Sequence, residues 1–144
     1  MRALRAQEQD GDKRPGAIQD RPGFVSRASQ VNMRMLAALL QGKDFKHGRY
    51  RLVYASDCVR LFDNTDCLAR IDQTSLTIWP TPYDLDISRL NTLAQALHGH
   101  KIFKTRAGNV YCQHTTDGRQ VSVMLRHNEP YVLPGKLTWP TNGS

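Results

Sequence analysis

Apolar residues recur along this chain first at three- and four-residue steps, then at two-residue steps, and the same succession then repeats. Val31, Met35, Leu36, Leu39 and Leu40 mark one stripe, which predicts a helix over residues 29–41. The Ser29 hydroxyl is placed to accept a free N–H of the first turn, and Gly42 stands where a left-handed C-terminal cap is wanted. The period then changes. Tyr50, Leu52 and Tyr54 share one face of an extended segment, with Arg51 and Val53 on the other, and Val59 and Leu61 continue the alternation. Asp63-Asn64-Thr65 has turn chemistry. Cys67, Ala69 and Ile71 point one way and Leu68 and Arg70 the other. Leu76 and Ile78 face in after a tight connection at Gln73-Thr74. An antiparallel meander of three or four strands is predicted.

Pro80 and Pro82 end that sheet, because proline cannot donate to a ladder. A second helix is predicted over 86–97, capped by Asp84 or Asp86, with Ile87, Leu90, Leu93, Ala94 and Leu97 as its stripe. Gly99 closes it, and His98, His100 and Lys101 lie where positive charge complements the helix C-terminus. Three strands follow, over 101–105, 109–114 and 119–126, with turns at Ala107-Gly108-Asn109 and Asp117-Gly118. The prolines and glycine beyond His127 predict an extended tail over 128–144. Residues 1–27, with mixed charge and few apolar positions, predict a disordered, mildly basic tail. One α+β domain over 28–127 results, with antiparallel sheets in the order helix, meander, helix, three strands.

The stretch 61–91 carries a cadence of its own. Strands bearing Leu61, Leu68-Ala69 and Ser75-Leu76-Thr77-Ile78 lead into a helix opening with Ser88-Arg89-Leu90-Asn91. This resembles small uncharacterised phage- and plasmid-encoded proteins, with Asp84 and Asp86 in place of the group's usual threonines. The resemblance covers about a quarter of the chain and implies a mobile-element origin; the odd, widely spaced cysteines and the want of an apolar signal segment predict a cytoplasmic setting, that of the host cell. The resemblance carries no catalytic motif. Arg89 and Asn91 read as capping and packing residues before contact residues.

Composition narrows the function classes. At 144 residues and 40% apolar, the chain suffices for one domain with a real core. The formal charge of +7 favours nucleic acid, an anionic surface or an acidic protein as partner. Cys58, Cys67 and Cys112 are widely spaced and odd in number, which fits free thiols in a reducing compartment. No apolar run is long enough to span a bilayer, and no membrane partner is expected.

Lys43, Lys46, His47, Arg49 and Arg51 bracket Phe45 and Tyr50, a mixture that neutralises phosphates while offering faces for base stacking. Arg70, Lys101, Lys104 and Arg106 are expected to extend that surface. The same residues also suit a solvated edge strand protected by its charges. His98, His100, Cys112 and His114 bring metal-ligand chemistry together, but their spacing matches no zinc pattern, so no metal or cofactor is expected. No nucleophile elbow or phosphate-binding loop occurs. The leading expectation is a non-enzymatic binding protein for DNA or RNA. The second is an inhibitor docking on an acidic or nucleic-acid-binding host protein through an edge strand or a patch of Trp79, Pro82 and Tyr83, although Trp79 and Tyr83 read first as core. The third is a metal-independent ribonuclease using His47 with Arg49, Arg51 and Tyr54.

Overall fold

A computed structural model describes residues 26–138. The tail expected over 1–27 falls outside these residues, except that Ser26 and Arg27 open the first helix. Helix α1 spans Arg27–Gln41; Ser26, not Ser29, is its N-cap, accepting from the Ser29 N–H at 3.1 Å. Gly42 ends it at φ 67°, as its position predicts.

Five strands follow: β1 (Lys46–His47), β2 (Tyr50–Tyr54), β3 (Val59–Asp63), β4 (Asp66–Ile71) and β5 (Leu76–Ile78). They form an antiparallel meander in sequence order. Its inner face carries Tyr50, Leu52, Leu61, Ala69, Ile71, Leu76 and Ile78, all buried in one continuous core. The register shifts at Leu61/Phe62, so that Leu61 faces Ala69 and Phe62 faces Cys67, leaving Leu68 as an inserted, buried residue. This bulge breaks the alternation expected at Leu68.

Helix α2 runs over Asp84–His98, two residues earlier than its stripe implies. Neither Asp84 nor Asp86 caps it: Tyr83 occupies the N-cap without a side-chain bond, and both carboxylates lie inside the first turn, where negative charge favours the helix. Ile87, Leu90, Leu93, Ala94 and Leu97 are buried, as predicted. The helix contacts α1, β4, β5 and the first strand of a second sheet, β6 (Lys101–Lys104). That sheet is completed by β7 (Val110–Thr116) and β8 (Arg119–Leu125), in the order β6-β7-β8. Asp117 and Gly118, at φ 53° and 75°, give the β7–β8 connection the mirror-image turn that matches strand twist.

The segment after residue 127 departs from the expected extended tail. A ninth strand, β9 (Tyr131–Val132), returns to pair with β5, and Leu133 and Leu137 are buried. The Leu133 N–H donates to Leu76 O at 3.0 Å and the Thr138 N–H to Leu97 O at 2.7 Å. The prolines that argued for a tail flank a two-residue edge strand, the place where a sheet tolerates them. No helix among the described residues is long and apolar enough to cross a membrane.

Candidate nucleic-acid interface

The helices cover one face of the six-stranded sheet. Side chains alternate along each strand, so the pairing registers fix which residues share the opposite face. One row across it holds Val53, Arg60, Arg70, Thr77 and Val132; the next holds Lys46, Arg51, Phe62 and Cys67. Every residue of these two rows is exposed or half-buried. The Arg51 guanidinium lies 4.9 Å from the Phe62 ring centroid, a cation–π arrangement between neighbouring strands. Trp79, just beyond β5, lines a surface hollow of about 570 Å³ with Thr65, Asp66, Cys67 and Asn128. Basic side chains and half-buried aromatics thus share one open surface.

The sequence-predicted residues divide in three. Lys46, Arg51 and Arg70 lie on this face, and Lys43 is exposed in the loop leading to β1. Arg70 is already committed, to Asp72 at 2.6 Å and Asp57 at 3.9 Å. The N–H of Thr74, then that of Ser75 and the side chains of Thr74 and Arg70, hold the Asp72 carboxyl well below its ordinary range, so this turn keeps its charge. Lys101, Lys104 and Arg106 belong to β6 and the turn after it, on the other sheet. Lys104 bonds Asp84 at 2.6 Å and the Pro82 carbonyl at 3.0 Å, while Lys101 lies over Phe103 at 5.5 Å. They do not extend the first surface.

Tyr50 and Arg49 have a different role. Tyr50 is buried, and its hydroxyl donates to Asp86 Oδ1 at 2.6 Å; Thr81 Oγ1 donates to Oδ2 of the same carboxylate at 2.8 Å. Arg89, also buried, sets its guanidinium 4.6 Å from the Tyr50 ring centroid and donates to Asn32 Oδ1 at 2.7 Å. Asn32 in turn donates to Ser88 Oγ at 2.8 Å. Arg49 Nε reaches Asp63 Oδ1 at 2.7 Å. Burial, then the hydrogen bond to and the charge of Asp86, push the Asp63 carboxyl up to about 6 against the opposing pull of Arg49. Burial and the bond to Asp86 push the Tyr50 phenol up to about 12. The network locks α1, α2 and β2 together and leaves Tyr50 no free ring face. Asn91 is likewise structural: its Oδ1 accepts the Ile102 N–H at 2.8 Å.

Two further groupings behave differently from their sequence pattern. The rings of His98 and His100 stack at 5.4 Å, those of His100 and His114 lie tilted at 5.3 Å, and His100 Nε2 lies 2.6 Å from the Pro134 carbonyl oxygen. Among the described residues, no group of three or more His, Cys, Asp or Glu is placed to hold a metal. Tyr54 gives its hydroxyl to the Lys43 and Ala38 carbonyls at 2.7 and 3.2 Å. Arg49 is held by Asp63, and Arg51 lies on the face opposite Tyr54, so those groups do not converge with His47.

Arg60 and Phe62 do not stand out in the sequence, although their alternation with Val59 and Leu61 is visible there, because the bulge at Leu68 hides their partners. The fold and this surface define an α+β protein with one open, basic, aromatic-bearing sheet face. Comparison of the chain with family models, curated proteins and solved structures gives no match.

Proposed function

We propose that this protein binds single-stranded nucleic acid on the open face of its six-stranded sheet. The observation carrying this reading is the juxtaposition of Lys46, Arg51 and Arg60 with Phe62 and Trp79 on one surface. A flat sheet does not enter a duplex groove as a helix does, but it spreads unpaired bases over aromatic faces while cations track the phosphates. Fluorescence anisotropy with labelled single- and double-stranded oligonucleotides across a salt series tests it. Tighter single-strand binding that weakens with salt is expected, because each neutralised phosphate releases counterions. The double variant Arg51→Glu, Arg60→Glu should then lose at least about tenfold in affinity, each lost contact lowering the salt slope by roughly 0.7 to 1. Binding that ignores salt or survives the double reversal would sink the reading.

One observation favours the host-protein alternative. Tyr83 and Leu85 are 61% and 43% exposed beside exposed Pro82, where the sequence suggested burial for Tyr83. Recovery of a discrete host protein from a nuclease-treated lysate, lost in Tyr83→Ala, would favour that patch over the sheet face.

A further inference from the structure

A sheet edge presents unpaired N–H and C=O groups, and proteins ordinarily blunt it. Three of the four edges here are blunted. β1 and β9 are two residues each, β1 carrying Lys46 and β9 lying between Pro130 and Pro134. β6 is four residues, bounded by Lys101 and Lys104, with its Ile102 N–H covered by Asn91. The fourth edge, β8, has none of these devices. It runs seven residues in unbroken register with β7, without proline, lysine or bulge, and its one charge is Arg119 at the turn end. Val121 is 37% and Met124 59% exposed.

The direction of its backbone groups follows from the turn. Thr116 and Arg119 flank a two-residue mirror-image turn and therefore exchange hydrogen bonds with each other. By alternation Arg119, Val121, Val123 and Leu125 bond to β7, while Gln120, Ser122 and Met124 turn their N–H and C=O groups outward. Among the described residues nothing outside β7 bonds to those outward groups.

We infer that β8 pairs antiparallel with β8 of a second copy of this chain, about a two-fold axis at Ser122. That register sets Ser122 against Ser122, and Gln120 against Met124 on either side. All are outward-facing positions, so every pair can exchange both backbone bonds, about six in all. Val121 meets Val123 of the other copy in the closer, non-hydrogen-bonded position, covering apolar surface where the hairpin projects. Arg119 comes opposite Leu125, so no like charges oppose each other. An isologous contact needs such self-complementarity, and the strand supplies it with a single axis. The two small sheets become one six-stranded sheet.

Sedimentation equilibrium of the intact protein tests this. The wild type should sediment at twice its 16.3 kDa chain mass as concentration rises. Ser122→Lys places two ammonium groups face to face across the axis and should return the single-chain mass, as should Ser122→Glu alone. An equimolar mixture of the two should recover the doubled mass, with circular dichroism unchanged throughout. Ser122→Thr should keep it, serving as control for the substitution itself. A wild type that stays single-chain at every concentration overturns the inference. So does a dimer that survives Ser122→Lys, or a mixture that fails to re-form it.

Discussion

Tyr50 was singled out by its neighbours in the chain, Arg49 and Arg51, and placed elsewhere by its neighbours in space. Its alternation with Leu52 and Tyr54 already put it on the core side, yet a basic flank reads the same whether the ring between is exposed or inserted. The structure resolves the conflict with the bond to Asp86. Tyr50→Phe removes that donor and leaves a buried carboxylate with one partner fewer. A loss of about 1–3 kcal/mol is expected in urea denaturation; an unchanged midpoint would mean that the bond is not made in solution. Asp86 and Arg89 were legible in principle, since they stand four residues before Leu90 and Leu93 on the same stripe, but polar residues near a helix start invite a capping assignment instead. Asp63 adds a pH dependence whose sign is set by its raised pKa. The folded state holds this proton up to about 6 and the unfolded chain only to about 4. Its contribution is therefore complete below the unfolded value and is lost as pH rises through 6. Asp63→Asn should flatten the pH 4–6 slope, which is worth on the order of 2 kcal/mol at its full extent; an identical slope in thermal melts of variant and wild type would refute this. His98 works in the opposite direction. Burial and then His100 lower its pKa, so its contribution is present above the unfolded value and declines as pH falls.

Among the elements, those announced by several turns of periodicity lie within two residues of where the pattern puts them, and those shorter than one period are not announced at all. Both helices and the β7–β8 hairpin belong to the first kind; β1 and β9 belong to the second. Two residues carry no alternation, and the prolines around β9 argue against a strand until its edge position is known. The consequence is energetic as well as descriptive. Leu133 and Leu137 are core residues, so Leu133→Ala should destabilise the whole domain by about 2–5 kcal/mol, whereas an extended tail would tolerate the change. Denaturant unfolding decides between the two, and a shift within about 0.5 kcal/mol would mean that the segment is not packed.

At the scale of the molecule, net charge was legible and its distribution was not. The +7 total gives no hint that Lys101, Lys104 and Arg106 lie on a different sheet from Lys46, Arg51 and Arg60. Strand order separates them, and strand order depends on pairing between distant residues. The separation has a measurable result. Neutralising Lys101, Lys104 and Arg106 together should change oligonucleotide affinity by no more than about twofold at moderate salt, because none of them stands on the proposed face and Lys104 is already paired with Asp84. The same triple neutralisation at Lys46, Arg51 and Arg60 should abolish salt-dependent binding. Equal effects from both sets would assign the binding to overall charge. The pairing of β9 with β5 bears on how this protein fails under mild heat. Two residues and the leucines after them seal Thr77 and Ile78. Two residues alone would be among the first pieces a native state releases in its thermal fluctuations, and what retains them is the burial of Leu133 and Leu137 behind them. In Leu133→Ala, where that anchor is cut, the departure of β9 bares a β-rich, apolar edge, and turbidity should rise at temperatures where circular dichroism still reports an intact fold.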